Sequence, residues 1–219
     1  VFDSATIGST AVTRTDTIVV RTGGVSAAQS TVVASPTSIA AGGETSTITV
    51  TARDASGNTI AGLAVVLAAS GTGNTLTQPA VVTDANGVAT GTLTSTVAEA
   101  KIVSATIDAQ AVTQTDTVTV TSGGISAAQS TVSALPASIV AGGTGSTITV
   151  TARDANGNPV AGASVVLAAT GTGNTLTQPA AVTDANGVAT GTLASTVAES
   201  KTVSATIGGT PVAQTATTL

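Results

Sequence analysis

Short runs of this chain alternate hydrophobic and polar residues with a period of two. The apolar members are Ile48, Val50 and Ala52, then Val65, Leu67 and Ala69, then Val103, Ala105 and Ile107, then Val118 and Val120. Such alternation predicts half-buried strands with one face on a core. No segment has the 3.6-residue period of an amphipathic helix, and the abundant Thr, Val and Gly are weak helix formers.

Four turn signals separate these runs. Each begins with Asp and ends with Gly three residues later, which fits a type I turn followed by a left-handed glycine. They lie at Asp54–Gly57, Asp84–Gly87, Asp154–Gly157 and Asp184–Gly187. About seven to nine short strands, spaced by such turns, predict an all-β fold: immunoglobulin-like Greek-key β-sandwiches, arranged in tandem as a rod.

The chain repeats itself at an offset of 100 residues, and about 70 of the 95 aligned positions are identical. We expect an immunoglobulin-like repeat at 25–124, including its Gly-Gly linker, and a second at 125–219 whose last strand is slightly truncated. Residues 1–24 are expected to hold the final strands of a preceding, incomplete repeat. Glycine pairs tolerate unusual dihedral angles, so Gly23-Gly24 and Gly123-Gly124 are predicted hinges.

The segment Thr17-Ile18-Val19-Val20 is a predicted strand with no evident partner sheet. An unpaired strand edge tends to pair with another chain, so this segment is a candidate strand donor to a second copy. The favoured interpretation is that the chain boundary cuts through a repeat.

The second repeat resembles the bacterial immunoglobulin-like domains of the invasin and intimin type, often called Big-1. The resemblance rests on the stretches Ser138–Gly143, Ser146–Val150, Asp154–Gly162 and Thr183–Thr190. The first repeat departs from the pattern at Thr59, where the family has Pro. The resemblance implies display outside a bacterial cell, in rod-like arrays that hold a distal binding domain away from the surface.

Composition excludes several classes of protein. Charged residues make up 8% of the chain, with six basic and eleven acidic side chains, and the basic ones are scattered, so nucleic acid is not an expected partner. Without His or Cys, a Ser–His–Asp or Cys–His site is impossible, and no aromatic platform for sugars exists beyond the single Phe2. We therefore expect no enzyme activity and no cofactor. No apolar run is long enough to span a membrane.

Two sets of charged residues remain candidates for special chemistry. Asp54, Asp84, Asp154 and Asp184 offer oxygen ligands for calcium, but each turn supplies one carboxylate, so turn formation is the simpler interpretation. Lys101 and Lys201 raise the idea of an intramolecular isopeptide bond, whereas their glutamate neighbours favour solvated turns. Outward threonines on the strands are the expected surface, although a ligand-binding or glycosylated face is an alternative.

The favoured function is a structural stalk of a bacterial cell-surface adhesin, in which repeats contact their neighbours along one chain. One alternative is an extracellular filament, assembled from copies of the chain by strand donation. A second alternative is a carbohydrate-binding sandwich module.

Overall fold

The computed structural model describes residues 6–7, 10–11 and 18–218, and every regular element in that part of the chain is a β-strand. Two short strands come first, β1 (Thr6–Ile7) and β2 (Thr10–Ala11), and they pair antiparallel. None of the described residues form a helix long and apolar enough to cross a membrane. The all-β prediction is confirmed.

The first repeat contains nine strands in two sheets. They are β3 (Thr31–Ser35), β4 (Ser38–Ala40), β5 (Ser46–Thr51), β6 (Val65–Ala69), β7 (Asn74–Thr77), β8 (Val88–Ser95), β9 (Ala100–Ile107), β10 (Gln110–Ala111) and β11 (Asp116–Thr121). One sheet has the order β3-β5-β8-β7. In the other, β9 pairs with β6, β10 and β11, and β11 also pairs with β4.

The chain crosses between these sheets in the manner of a Greek key. Strand β5 pairs antiparallel with β8 rather than with its successor β6, which lies in the opposite sheet. Strand β4 adds to the second sheet by pairing in parallel with β11, where Val120 is opposite Ile39. The result is the two-layer sandwich that the turn spacing predicted.

The second repeat reproduces this plan with one difference. Its strands are β12 (Thr131–Leu135), β13 (Ser146–Thr151), β14 (Val165–Ala169), β15 (Asn174–Thr177), β16 (Val188–Ser195), β17 (Lys201–Ile207), β18 (Thr210–Pro211) and β19 (Ala216–Thr218). Residues 138–140, which correspond to β4, form no strand among the described residues. Ile39 is buried in the first repeat, whereas its counterpart Ile139 is half-buried.

Each repeat has its own aliphatic core between its two sheets. The alternating residues predicted to face inward do so: Ile48, Val50 and Ala52 are buried, as are Val103 and Ile107. Leu93 packs into the same core from β8, which pairs with β5 in the first sheet. Many small contacts therefore replace the disulfide and tryptophan of antibody domains.

Candidate functional site at the joint between the repeats

The site begins with the turn that follows β13. The Gly157 N–H donates to the Asp154 carbonyl over 3.1 Å, and Gly157 has a φ of 85°, the left-handed region that glycine adopts without strain. The Asp154 carboxylate holds the turn from inside, because its Oδ1 accepts the N–H groups of Asn156 and Asn158, each over 2.9 Å. The sequence therefore folds locally into a rigid loop that presents Asn158.

Asn158 bridges the two repeats through hydrogen bonds to both. Its Nδ2 donates to Asp154 Oδ2 over 2.8 Å and to the Thr96 carbonyl of the first repeat over 2.9 Å. Its Oδ1 accepts the Ala98 N–H over 3.0 Å. The linker is tied to the same carboxylate, since the Gly123 N–H donates to Asp154 Oδ2 over 2.9 Å. We call Asp154, Asn158 and the three groups that they bind the joint clamp.

The equivalent turn of the first repeat makes the same local bonds, and within the described residues its Asn58 bridges to no other repeat. The Asn58 Nδ2 donates to Asp54 Oδ2 over 2.9 Å, and the Gly23 N–H donates to that oxygen over 3.0 Å. Asn58 is exposed, whereas Asn158 is buried with 8% of its surface accessible. The difference in burial therefore comes from the contact between repeats and not from the turn itself.

Hydrogen bonds keep both turn carboxylates ionised. At Asp54, the Asn58 side chain and the Gly23 N–H lower the pKa to about 2, against the smaller raising effect of burial. At Asp154, burial is the largest single influence and raises the pKa, but the bonds from Asn158, Gly123 and Asn156 together outweigh it and hold the pKa below its usual value. The Asp154 carboxylate, which accepts the Gly123 N–H of the linker, is therefore an anion at neutral and mildly acid pH.

The four aspartates proposed as calcium ligands lie in separate turns. Asp84 Oδ1 accepts the N–H groups of Asn86 and Val88 over 2.8 and 2.9 Å, and Asp184 has the same bonds in the second repeat. Within the described residues, no three acidic side chains come together as a metal site would require. Calcium binding at these positions stays an untested alternative, and turn formation, the favoured interpretation, accounts for their geometry.

The predicted hinge glycines differ from each other within each pair. Gly23 and Gly123 are held through their N–H groups, and a Cβ added to Gly123 would lie 3.2 Å from the carbonyl oxygen of Ala41. A Cβ added to Gly24 or Gly124 would have no atom within 4 Å. The first glycine of each pair is therefore held by a hydrogen bond to a turn carboxylate, whereas the second has open space around it, and the hinge itself stays a prediction.

The proposed strand donor lies at the edge of the described chain. Thr17 is outside the described residues, and Ile18, Val19 and Val20 are not in a strand, contrary to the prediction from their sequence. They are 75%, 73% and 90% exposed. The physical reason is that a strand forms only when a partner takes up its backbone hydrogen bonds, and none of the described residues does so. Their donor role stays a prediction.

Lys101 and Lys201 are not in solvated turns, which corrects the sequence interpretation. Lys101 lies in β9 and none of its surface is exposed, and Lys201 in β17 is 2% exposed. The Lys101 ammonium donates to Glu99 Oε1 and to the Thr72 carbonyl. The bond from Lys101 and the Thr72 N–H lower the pKa of Glu99, so the carboxylate stays charged opposite the ammonium.

This ion pair closes the end of the first sandwich that faces the joint, and Lys201 and Glu199 form the equivalent pair in the second repeat. Glu99 also accepts the Thr72 N–H over 2.9 Å, which pins the loop after β6 to the start of β9. The Glu99 carbonyl accepts the Val120 N–H over 3.0 Å, so the pinned segment supports the last strand before the linker. The alternation of Lys101 with Val103, Ala105 and Ile107 is the sequence signal that places Lys101 on the inner face.

Comparison with known proteins assigns both repeats to described domain families. The family "Bacterial Ig-like domain (group 1)" matches residues 129–219, and "Invasin, domain 3" matches residues 26–123. A comparison with curated proteins gave no match.

Solved structures of adhesins have the same fold. The Escherichia coli adhesin FdeC is 27% identical with a TM-score of 0.71, over 91% of this chain and 66% of FdeC. InvD of Yersinia pseudotuberculosis is 29% identical with a TM-score of 0.64, over 87% of this chain and 56% of InvD. The D00-D0 domain of intimin, 18% identical with a TM-score of 0.50 over 87% of this chain and 99% of that one, shows the fold alone.

The chain thus spans less than two thirds of the FdeC and InvD structures that it matches. The residue ranges of the two matching families fall on the two sandwiches in turn. The chain is therefore a tandem of bacterial immunoglobulin-like domains, of which the second matches the group 1 (Big-1) family and the first matches the invasin domain 3 family.

Proposed function

We propose that this chain is a spacer segment of a bacterial surface adhesin. Residues 25–124 and 125–219 act as two stiff units, with residues 1–24 as the tail of a preceding one, and together they hold a binding domain away from the cell. The support is membership of a domain family found in adhesins, and a surface of threonines that offers no aromatic ligand platform. An extracellular location is part of the same proposal.

The observation that carries this function is the joint clamp. A spacer holds its tip at a distance only if neighbouring units keep a fixed direction, and a flexible tether would collapse toward the surface. Asn158 joins the Thr96–Ala98 segment of the first repeat to the Asp154 turn of the second, and the linker is bound to the same carboxylate. Bending at Gly124 is opposed by these bonds, which are shielded from solvent.

Asn158→Ala is expected to uncouple the two repeats. The variant removes both hydrogen bonds across the joint and leaves the Thr96 carbonyl and the Ala98 N–H without their partner. We expect the free energy of unfolding to fall by about 2 kcal/mol, because the repeats no longer stabilise each other through these bonds. Urea unfolding followed by far-ultraviolet circular dichroism is the measurement, because the chain has no Trp or Tyr for fluorescence.

Asn58→Ala is the matched control, since Asn58 makes the same bond to its own turn carboxylate and lies outside the joint. The effect of the clamp is the difference between the two variants. Equal unfolding curves for Asn58→Ala and Asn158→Ala would show that the bonds across the joint do not stabilise the chain. This result would contradict the proposed spacer function, which requires a fixed joint.

A further inference from the structure

Three asparagines in this chain are followed by glycine, namely Asn86, Asn156 and Asn186. An asparagine loses its side-chain amide spontaneously when the backbone nitrogen of the next residue attacks the carboxamide carbon. Glycine permits this attack best, because it has no side chain to obstruct the ring and adopts unusual dihedral angles without strain. Which of the three asparagines reacts then depends on how firmly the structure holds the glycine peptide.

Gly87 and Gly187 are held firmly by their surroundings. Both are buried, and each N–H donates to the aspartate carbonyl of its turn over 2.9 Å. Each carbonyl also accepts the N–H of the residue that follows a neighbouring strand, Ala52 over 2.8 Å and Ala152 over 2.7 Å. A Cβ added to Gly87 would lie 2.7 Å from the Ala52 carbonyl oxygen. Rotation of these peptides would break bonds that extend the sheet, so the asparagine before each is protected.

The Gly157 peptide has more freedom. Gly157 is half-buried, and its N–H donates to the Asp154 carbonyl over a longer distance, 3.1 Å. Its carbonyl accepts the Arg153 guanidinium over 2.6 Å, and this long side chain can follow the peptide as it moves. A Cβ added to Gly157 would have no atom within 4 Å. The peptide therefore has room to turn its nitrogen toward the Asn156 carboxamide.

Asn156 also lies at the joint between the repeats. A Cβ added to Gly42 of the first repeat would overlap Asn156 Nδ2, so this carboxamide packs directly on Gly42. The Asn156 N–H and the Asn158 N–H both donate to Asp154 Oδ1, each over 2.9 Å. A change in the backbone between Asn156 and Asn158 therefore acts directly on the joint clamp.

Asn158 itself is protected from the same reaction. It is followed by Pro159, whose nitrogen carries no hydrogen and cannot close the ring. The first repeat has Ser56 where the second has Asn156, and the Ser56 N–H donates to its own turn aspartate, Asp54, over 2.9 Å. Serine is therefore compatible with this turn, and an unreactive version of the second repeat can be made.

We propose that Asn156 is a site of spontaneous deamidation that releases the joint clamp. The Gly157 nitrogen gives its proton to solvent and bonds to Asn156 Cγ, and the Cγ–Nδ2 bond breaks with loss of ammonia. Water then opens the cyclic imide at one of its two carbonyls, which leaves aspartate or isoaspartate. One water is consumed and one ammonia is released, and no oxidant or reductant is needed.

Both products weaken the clamp. In isoaspartate the main chain runs through the side-chain carbon, so the path from residue 156 to Asn158 becomes longer and Asn158 is displaced from its partners. Either product also places a carboxylate beside Asp154, whose own carboxylate is held ionised because its hydrogen bonds lower the pKa. This inference goes beyond the spacer function, because it gives the fixed joint a limited lifetime, and its effect on the joint rests on the clamp.

Ageing of the purified chain tests the proposal. The chain is incubated at mildly alkaline pH, and fragmentation mass spectrometry quantifies the loss of amide at each of the three Asn-Gly pairs. Asn156→Ser, which copies the turn of the first repeat, is the matched control. Because the chain has no cysteine of its own, spin labels on one introduced cysteine in each repeat report the distance across the joint before and after ageing.

We expect Asn156 to lose its amide several times faster than Asn86 or Asn186. The aged chain, separated by anion exchange through its added charge, is expected to give a broader label distance distribution than the fresh chain, whereas the aged Asn156→Ser chain keeps the narrow one. Amide loss at Asn86 or Asn186 as fast as at Asn156, or an aged chain with an unchanged distribution, overturns the proposal. Failure of the clamp itself would already appear in fresh protein, when Asn158→Ala is compared with Asn58→Ala, so the two proposals can fail separately.

Discussion

Gly91→Ala is expected to destabilise the first repeat by about 3 kcal/mol. Gly91 lies on the inner face of β8, where a Cβ would come within 2.3 Å of the Thr77 carbonyl oxygen and 2.6 Å of Leu67 Cδ1. The first contact is with backbone, which cannot rotate away as a flexible side chain would. Thr77 belongs to β7, the neighbouring strand of the same sheet, and Leu67 to β6 of the opposite sheet, so a side chain at position 91 would clash both within its sheet and across the core.

Urea unfolding checks this expectation, with the second repeat as an internal reference in the same molecule. Gly43→Ala is the control, since a Cβ at Gly43 meets nothing within 4 Å, and its effect is expected to stay within about 0.5 kcal/mol. If the two alanine variants unfold at the same urea concentration, the close approach at Gly91 contributes nothing to stability.

Lys101→Ala is the second large effect, with an expected loss of about 3 kcal/mol from the cavity left by a fully buried side chain. Loss of the Lys101 charge alone is expected to have a different effect from loss of its side-chain volume. Lys101→Met keeps most of the volume and removes the charge, so we expect a much smaller loss. Glu99→Gln leaves the buried ammonium without its carboxylate and is expected to lower the unfolding midpoint more than Lys101→Met does.

The double variant Glu99→Gln/Lys101→Met distinguishes these causes. Once the ammonium is gone, the loss of the carboxylate is expected to add little, so the double variant should unfold with Lys101→Met. Thermal unfolding of all four variants by circular dichroism is sufficient. Additive losses from Glu99→Gln and Lys101→Met would mean that the two side chains act independently, which contradicts the ion pair as the reason for the buried lysine.

Local patterns predicted most of the fold. The two-residue period at Ile48 and Val50 specifies which residues face inward, and both are buried. The Asp154–Gly157 signature specifies a turn closed by a left-handed glycine, and Gly157 adopts that conformation. Strand alternation and turn signatures depend only on residues that are close together along the chain, so both can be predicted from one sequence.

The candidate site depended on contacts that no local pattern encodes. Asn58 and Asn158 occupy the same place in nearly identical turns, yet only Asn158 is buried, because another repeat covers it. Ile18–Val20 has the composition of a strand but lacks a partner among the described residues. For Lys101, its charge suggested solvent, whereas its place in the alternation with Val103 already indicated the inner face.

The joint clamp is tested most directly by the distance between the two repeats in solution. Thr90 and Thr190 are exposed at equivalent positions, and the absence of native cysteine lets spin labels be placed at Thr90→Cys and Thr190→Cys alone. Pulsed electron paramagnetic resonance should give one narrow distance distribution, unchanged by Asn58→Ala and clearly broadened by Asn158→Ala. If the chain with native Asn158 gives a distance distribution as broad as that of the Asn158→Ala variant, the joint clamp does not fix the two repeats. Gly123-Gly124 would then act as a free hinge.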